Sequence, residues 1–165
     1  MFKLSFLSLL LVSSFASAEE ARRANAHVHG LNNLSMVISQ NQVAITYEMP
    51  IVQLLDEHDE HDELTVSDES LAEFQNYSQL FALPKSANCD LVSFESGLHS
   101  VSTEGDHKDV ELAYEFSCNE SSQLKSITIN AFNRFSELET LNFEAVINNK
   151  AITKSLKSDV NKVIF

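Results

Sequence analysis

The segment that decides the fold is VELAYEFSC, residues 110–118. Apolar side chains occupy every second position from Val110 to Cys118, and acidic or small residues fill the positions between them. This period of two is typical of an antiparallel β-strand with one face on a core and the other in water. The segment therefore predicts a half-buried sheet, and it places Cys118 on the buried face.

The same period recurs on both sides of this segment. Residues 43–49 alternate until Pro50, and residues 34–38 form their hairpin partner across a short turn. Further strands are predicted at residues 91–94, 124–129, 141–147 and 160–165. Together these patterns predict a mainly antiparallel sheet of about seven strands.

One segment has a helical pattern instead. Ser67 can cap a helix, and the two acidic residues that follow it lie where the helix dipole favours negative charge. Apolar residues then recur at helical spacing until Pro84, and a second, short helix is predicted at residues 131–138. The predicted class is therefore α+β, with one principal helix packed on the sheet.

The first 18 residues predict export. Lys3 precedes an apolar run, Leu4 to Val12, which is far shorter than the ~20 residues that span a bilayer. Small residues at positions 16 and 18 suit cleavage after Ala18. We therefore expect a signal peptide over residues 1–18 and a single α+β domain over residues 19–165. This mature domain should be periplasmic, without membrane insertion.

Cys89 and Cys118 are the two cysteines of the chain. An even cysteine count in an exported protein predicts a disulfide, and two cysteines allow one pairing. The alternative, a pair of thiolate metal ligands, is disfavoured because an oxidising compartment removes free thiols. We therefore expect one structural disulfide.

Charge and motifs exclude several classes of function. The chain has 24 acidic and 11 basic residues, a net charge of -13, which repels nucleic acid and anionic membranes and attracts cations. It has no HExxH or GxSxG motif and no nucleophile beside a base, so no enzymatic activity is expected. Metal binding, an envelope binding or assembly module and, least favoured, a zinc hydrolase stay open.

Histidines supply the first candidate metal ligands. His27 and His29 are separated by one residue, which in an extended segment puts both imidazoles on one face. Two nitrogens on one face are half of a tetrahedral zinc site, although such pairs also occur by chance. These residues alone therefore give a weak signal.

Two further segments carry nitrogen and oxygen donors. Residues 56–63 read DEHDEHDE, in which His58 and His61 lie among six carboxylates. The alternative for this segment is a solvated acidic loop. His107 and Asp109 share a face at the start of the strand that ends in Cys118, and His99 lies across an expected turn, where it is equally well explained as an exposed residue.

The ligand types favour Zn(II). Imidazole with carboxylate suits zinc, whereas copper sites recruit methionine sulfur and calcium sites use oxygen alone. Met36 and Met49 occupy alternating strand positions that indicate a core role. Nickel or Cu(II) would also bind such a cluster.

The order and spacing of these segments resemble the ZrgA-type family of periplasmic zinc-uptake proteins, over nearly the whole mature chain. The resemblance is carried by His27-Val28-His29-Gly30 before the hairpin, Pro50 leading to Glu57-His58, Leu80-Phe81-Ala82-Leu83-Pro84 before Cys89, and His107-Lys108-Asp109 leading to Tyr114-Glu115-Phe116-Ser117-Cys118. This sequence departs from many members in its short histidine-rich loop, which has only His58 and His61.

The resemblance implies a zinc-binding protein that assists a high-affinity importer, with a zinc ABC importer or its binding protein as the partner. His27, His29, His58 and His107 match histidines of the family pattern, and Asp109 matches an acidic residue. His61 completes the set of expected metal ligands.

Overall fold

The computed structural model describes residues 31–54, 66–100 and 108–165. Within these residues the chain is mostly β, with nine strands in a six-stranded and a three-stranded sheet. In chain order the strands are β1 (Leu31–Ser39), β2 (Gln42–Pro50), β3 (Phe81–Ala82), β4 (Cys89–Ser100), β5 (Lys108–Cys118), β6 (Ser126–Ile129), β7 (Thr140–Ile147), β8 (Lys150–Leu156) and β9 (Lys162–Ile164).

The predicted strand count of about seven is wrong, because β3 and β8 lack the signal on which the prediction depends. β3 has two residues, too few for any period. β8 is an edge strand in which only Leu156 is fully buried, so its sequence does not alternate. The strands predicted from alternation all form.

The six-stranded sheet has the order β4-β5-β2-β1-β7-β8. All its neighbouring strands pair antiparallel except β1 and β7, which run parallel to each other. Leu34 of β1 lies opposite Phe143 of β7. The sheet is therefore mixed. Tyr47 lies opposite both Leu34 and Leu112, so the alternating apolar residues of β1, β2 and β5 form one continuous buried face.

The smaller sheet, of order β3-β6-β9, and the short helices share one hydrophobic core with that buried face. The ring of Phe81 meets that of Tyr114 edge to face at 5.3 Å, and Tyr77 meets Phe116 in the same way at 4.9 Å. The Tyr114 hydroxyl donates to the carbonyl oxygen of Phe74 at 2.8 Å. The opposite face of the six-stranded sheet, which we call the open face, carries the intervening residues.

The principal helix is shorter than predicted. Helix α1 spans Asp68–Ala72, and the Ser67 hydroxyl accepts the Ser70 N–H at 3.1 Å, as the capping pattern predicts. Two 3-10 turns follow, Glu73–Gln75 and Tyr77–Gln79. Asn76 separates them, because its ψ of 74° lies outside the helical region and its side chain accepts the Ser78 hydroxyl. Helix α2 spans Ala131–Arg134, half of the predicted range.

The expected disulfide is confirmed. Cys89 and Cys118 are bonded and lie directly opposite each other, at the start of β4 and the end of β5. Cys118 is fully buried, on the face that the alternation of residues 110–118 predicts. The thiols are therefore not available as metal ligands.

Candidate metal site

Asp109 is the one expected metal ligand that lies within the described residues. The other expected ligands, and the predicted signal peptide, lie outside them: residues 1–18, His27, His29, His58, His61 and His107. Asp109 is the second residue of β5, half-buried, on the open face. Within the described ranges, no three histidine, cysteine, aspartate or glutamate residues are arranged to hold a metal ion.

Three strands have the ends that lead into the histidine-bearing segments at one end of the six-stranded sheet. β1 begins there at Leu31, β2 ends there at Pro50, and β5 begins there at Lys108. Because β2 is antiparallel to both β1 and β5, these three strand ends lie side by side. We call this edge the ligand end of the sheet.

Asp109 lies in the middle of this end. It is opposite Pro50 of β2 on one side and opposite the backbone of His99 of β4 on the other. Neighbouring strands are about 4.8 Å apart, so β1 and β5, with β2 between them, are separated by about 10 Å. Asp109 therefore stands within one or two strand spacings of every connection.

Chain length limits how far the histidines can lie from this end. His29 precedes Leu31 by two residues, His107 precedes Lys108 by one, and His58 follows Leu54 by four. A fully extended chain advances at most about 3.6 Å per residue. His29 is therefore within about 7 Å of Leu31, His107 within about 4 Å of Lys108, and His58 within about 14 Å of Leu54. The topology thus brings the strand ends that lead into three separate histidine-bearing segments to one end of the sheet.

The cysteines lie at the opposite end of the sheet. Nine residues of β5 separate Asp109 from Cys118, and a strand rises about 3.3 Å per residue, so the disulfide is about 30 Å from the ligand end. The cysteine sulfurs are therefore both bonded to each other and too far from the ligand end to share a metal ion with the expected ligands.

The open face is acidic along its length. Its carboxylates come from four of the six strands and are Glu48, Asp90, Glu95, Asp109, Glu111, Glu115 and Glu144. Among the strand positions that the structure describes on this face, none holds lysine or arginine. The face therefore attracts cations toward the sheet that carries Asp109.

Asn32 is a buried polar residue at the ligand end that the sequence reasoning missed. Its Nδ2 donates to the Tyr47 hydroxyl at 2.6 Å, and its Oδ1 has no hydrogen-bond partner among the described residues. Burial raises the pKa of Tyr47, so the phenol stays protonated. The available signal was the position of Asn32, two residues before Leu34, where the alternation predicts an apolar side chain.

No helix in the described part of the chain is long and apolar enough to cross a membrane.

The chain matches the model of a known protein family. The model of a family described as "ZrgA family zinc uptake protein" matches residues 26–165. All the expected metal ligands and both cysteines lie within that range. No curated protein matches the chain.

Proposed function

The chain belongs to the ZrgA family of zinc uptake proteins, and we propose on this basis that it binds Zn(II) in the periplasm and assists a high-affinity zinc importer. Zinc is the cargo in this proposal. A zinc ABC importer or its binding protein is the partner. The observation that supports the proposal is that the strand ends leading into three histidine-bearing segments lie side by side at the ligand end, next to Asp109.

The proposed primary site combines His27 and His29 with His58 or His107. Zinc in proteins is usually four-coordinate, and a pair separated by one residue offers two nitrogens, so the other ligands must come from another segment or from water. Asp109 and His61 are the further candidates. Asp109 suits this role because its carboxylate is at the centre of the ligand end, and carboxylate oxygen is a normal zinc ligand.

The acidic segment, residues 56–63, is proposed to recruit zinc while the sheet end fixes it. Carboxylates attract cations over several ångströms, whereas ordering a chain segment around a metal ion costs conformational entropy. Histidines attached directly to strand ends lose less of this entropy on binding. The tight site should therefore rest on the strand ends and the looser one on the acidic segment.

The remaining features of the proposal concern compartment and class. Residues 1–18 are proposed to be a signal peptide, and residues 19–165 one periplasmic domain. The Cys89–Cys118 disulfide supports an oxidising compartment. We propose that the protein is not an enzyme, does not bind nucleic acid and does not insert into the membrane.

Equilibrium dialysis of the purified mature chain against zinc tests the proposal. We expect zinc to be retained at neutral pH and lost as pH falls below about 6.5, because protons compete for the imidazole nitrogens. Calcium under the same conditions is the control, since it prefers oxygen ligands alone. A chain that retains no zinc at pH 7.5 would instead be an envelope binding module.

A further inference from the structure

The open face of the six-stranded sheet has an apolar strip as well as carboxylates. Val37 of β1 lies opposite Ala44 of β2 and Val146 of β7, and Val146 lies opposite Ala151 of β8. These four exposed side chains form one row across four neighbouring strands, which we call the apolar row. Val37 is 47% exposed and Val146 45%. Single exposed valines are ordinary, whereas here apolar side chains of four neighbouring strands adjoin one another.

A shallow hollow of about 250 Å³ lies along this row, at strands β1, β7 and β8. Its wall includes Val37 and Val146, the carboxylate-bearing Glu144, and the small residues Ser35 and Ala151. Small-molecule sites in proteins enclose about 300–1,000 Å³, so this open hollow is too small for such a ligand. It fits one or two side chains of another protein.

The lining of the hollow selects a basic side chain. Lysine and arginine combine a long aliphatic stem with a charged end, and they pack the stem on apolar surface while the charge reaches a polar partner. Here the two valines offer the apolar surface and Glu144 the carboxylate. A lysine or arginine from a partner satisfies both parts of the hollow at once.

From the apolar row and its charged surroundings we propose that the open face is a docking surface for a partner protein that presents lysine and arginine side chains around an apolar centre. An apolar centre with a polar rim is the usual anatomy of a protein–protein interface. Here the rim is formed by carboxylates, among them Glu115, which lies opposite Ala44, and Glu144, which precedes Val146 by two residues. This inference goes beyond zinc binding, and the apolar row on which it rests lies six residues along β1 and β7 from the ligand end.

Charge decides which partner fits. A second copy of this chain would bring carboxylates against carboxylates on an open face without lysine or arginine at its described strand positions, and like charges across an interface are strongly unfavourable. Nucleic acid and anionic lipid are repelled for the same reason. A basic protein surface is attracted, and its association should be fast and sensitive to salt.

The size of the face is sufficient for a stable complex. Six strands spaced about 4.8 Å apart span about 24 Å, and strands of about eight residues extend about 27 Å. The product is about 650 Å², close to the ~800 Å² that each partner contributes to an interface of standard size.

In vivo photo-cross-linking tests the proposal with the full chain in its native host. A photoreactive phenylalanine analogue is placed at Val37, at Val146 or, as a control, at Ile164 of β9, which is 70% exposed on the smaller sheet. We expect one discrete higher-mass adduct from Val37 and Val146 and none from Ile164. The adduct should contain a protein with a basic surface patch.

Charge reversal makes the test specific. In the chain that carries the photoreactive residue at position 37, Glu144→Lys should reduce the amount of adduct about tenfold or more. Glu120→Lys makes the same charge change at an exposed turn outside this face, and it should leave the amount of adduct nearly unchanged. Four results would each overturn the proposal. These are an equal adduct from Ile164, an adduct with a second copy of the chain, no higher-mass adduct, and an adduct unaffected by Glu144→Lys.

Discussion

Replacing Asn32 by leucine and Tyr47 by phenylalanine together should leave the protein at least as stable as the wild type, whereas Tyr47→Phe alone should destabilise it. Asn32 is fully buried, one end of its amide is bonded to the Tyr47 hydroxyl, and the other end has no partner among the described residues. Removing the hydroxyl leaves the whole amide unpaired, and a buried unpaired polar group costs about 1–3 kcal/mol. Removing both polar groups eliminates that cost, so the two changes should show a coupling energy of about 1–3 kcal/mol.

Urea unfolding of the oxidised protein, followed by circular dichroism, measures this coupling. Tyr114→Phe is the matched control, because the Tyr114 hydroxyl is also buried in the core but donates to the Phe74 carbonyl oxygen. Its effect should add to that of Asn32→Leu without coupling. If Asn32→Leu and Tyr47→Phe also add independently, the buried pair at the ligand end is not arranged as described.

Three further predictions follow from the disulfide, the ligand end and the buried phenols. Cys118→Ala should lower the free energy of unfolding by about 3.6 kcal/mol, the loop-closure entropy expected for cysteines 29 residues apart. A loss below about 1 kcal/mol in urea unfolding would contradict this. Asp109→Asn should weaken zinc binding in calorimetry more than Asp90→Asn, which makes the same change at the disulfide end of the open face; equal effects would argue for long-range charge alone. Burial raises the pKa values of Tyr47 and Tyr114, so their neutral forms stabilise the folded state below pH 10, and stability should fall as pH rises above that value. Phenylalanine at both positions should flatten this fall, measured as the urea midpoint between pH 8 and 11, and an unchanged slope would be inconsistent with buried phenols.

Much of the six-stranded sheet could be predicted because four of its strands alternate strictly. In β1, β2, β5 and β7 the buried and exposed positions follow the sequence period, and the alternation placed Cys118 on the buried face. The parallel pairing of β1 with β7 could not be predicted, since the residues of a strand show which face is buried but not the direction of its neighbour. The principal helix was overestimated because its apolar spacing continues past Ala72, through two 3-10 turns that Asn76 separates by local hydrogen bonding.

The expected chemistry of the candidate site comes from the sequence, whereas its placement depends on the fold. Imidazole and carboxylate favoured zinc by residue type, and the choice of zinc over nickel or Cu(II) rested partly on the family resemblance. The strand ends that lead into the histidine-bearing segments lie side by side because β2 lies between β1 and β5, which only the strand pairing reveals. The ligand set itself stays a prediction, because of its members only Asp109 belongs to the residues that the structure describes.

Zinc titration of the mature chain by calorimetry, beside a His27→Ala/His29→Ala double variant and a His107→Ala variant, tests the central claim most directly. If one zinc site at the ligand end draws its nitrogens from separate segments, each variant should weaken zinc affinity by about tenfold or more, or about 1.4 kcal/mol, without changing the unfolding midpoint of the metal-free protein. An affinity that is unchanged in the double variant would contradict the assignment of the site to this end of the sheet.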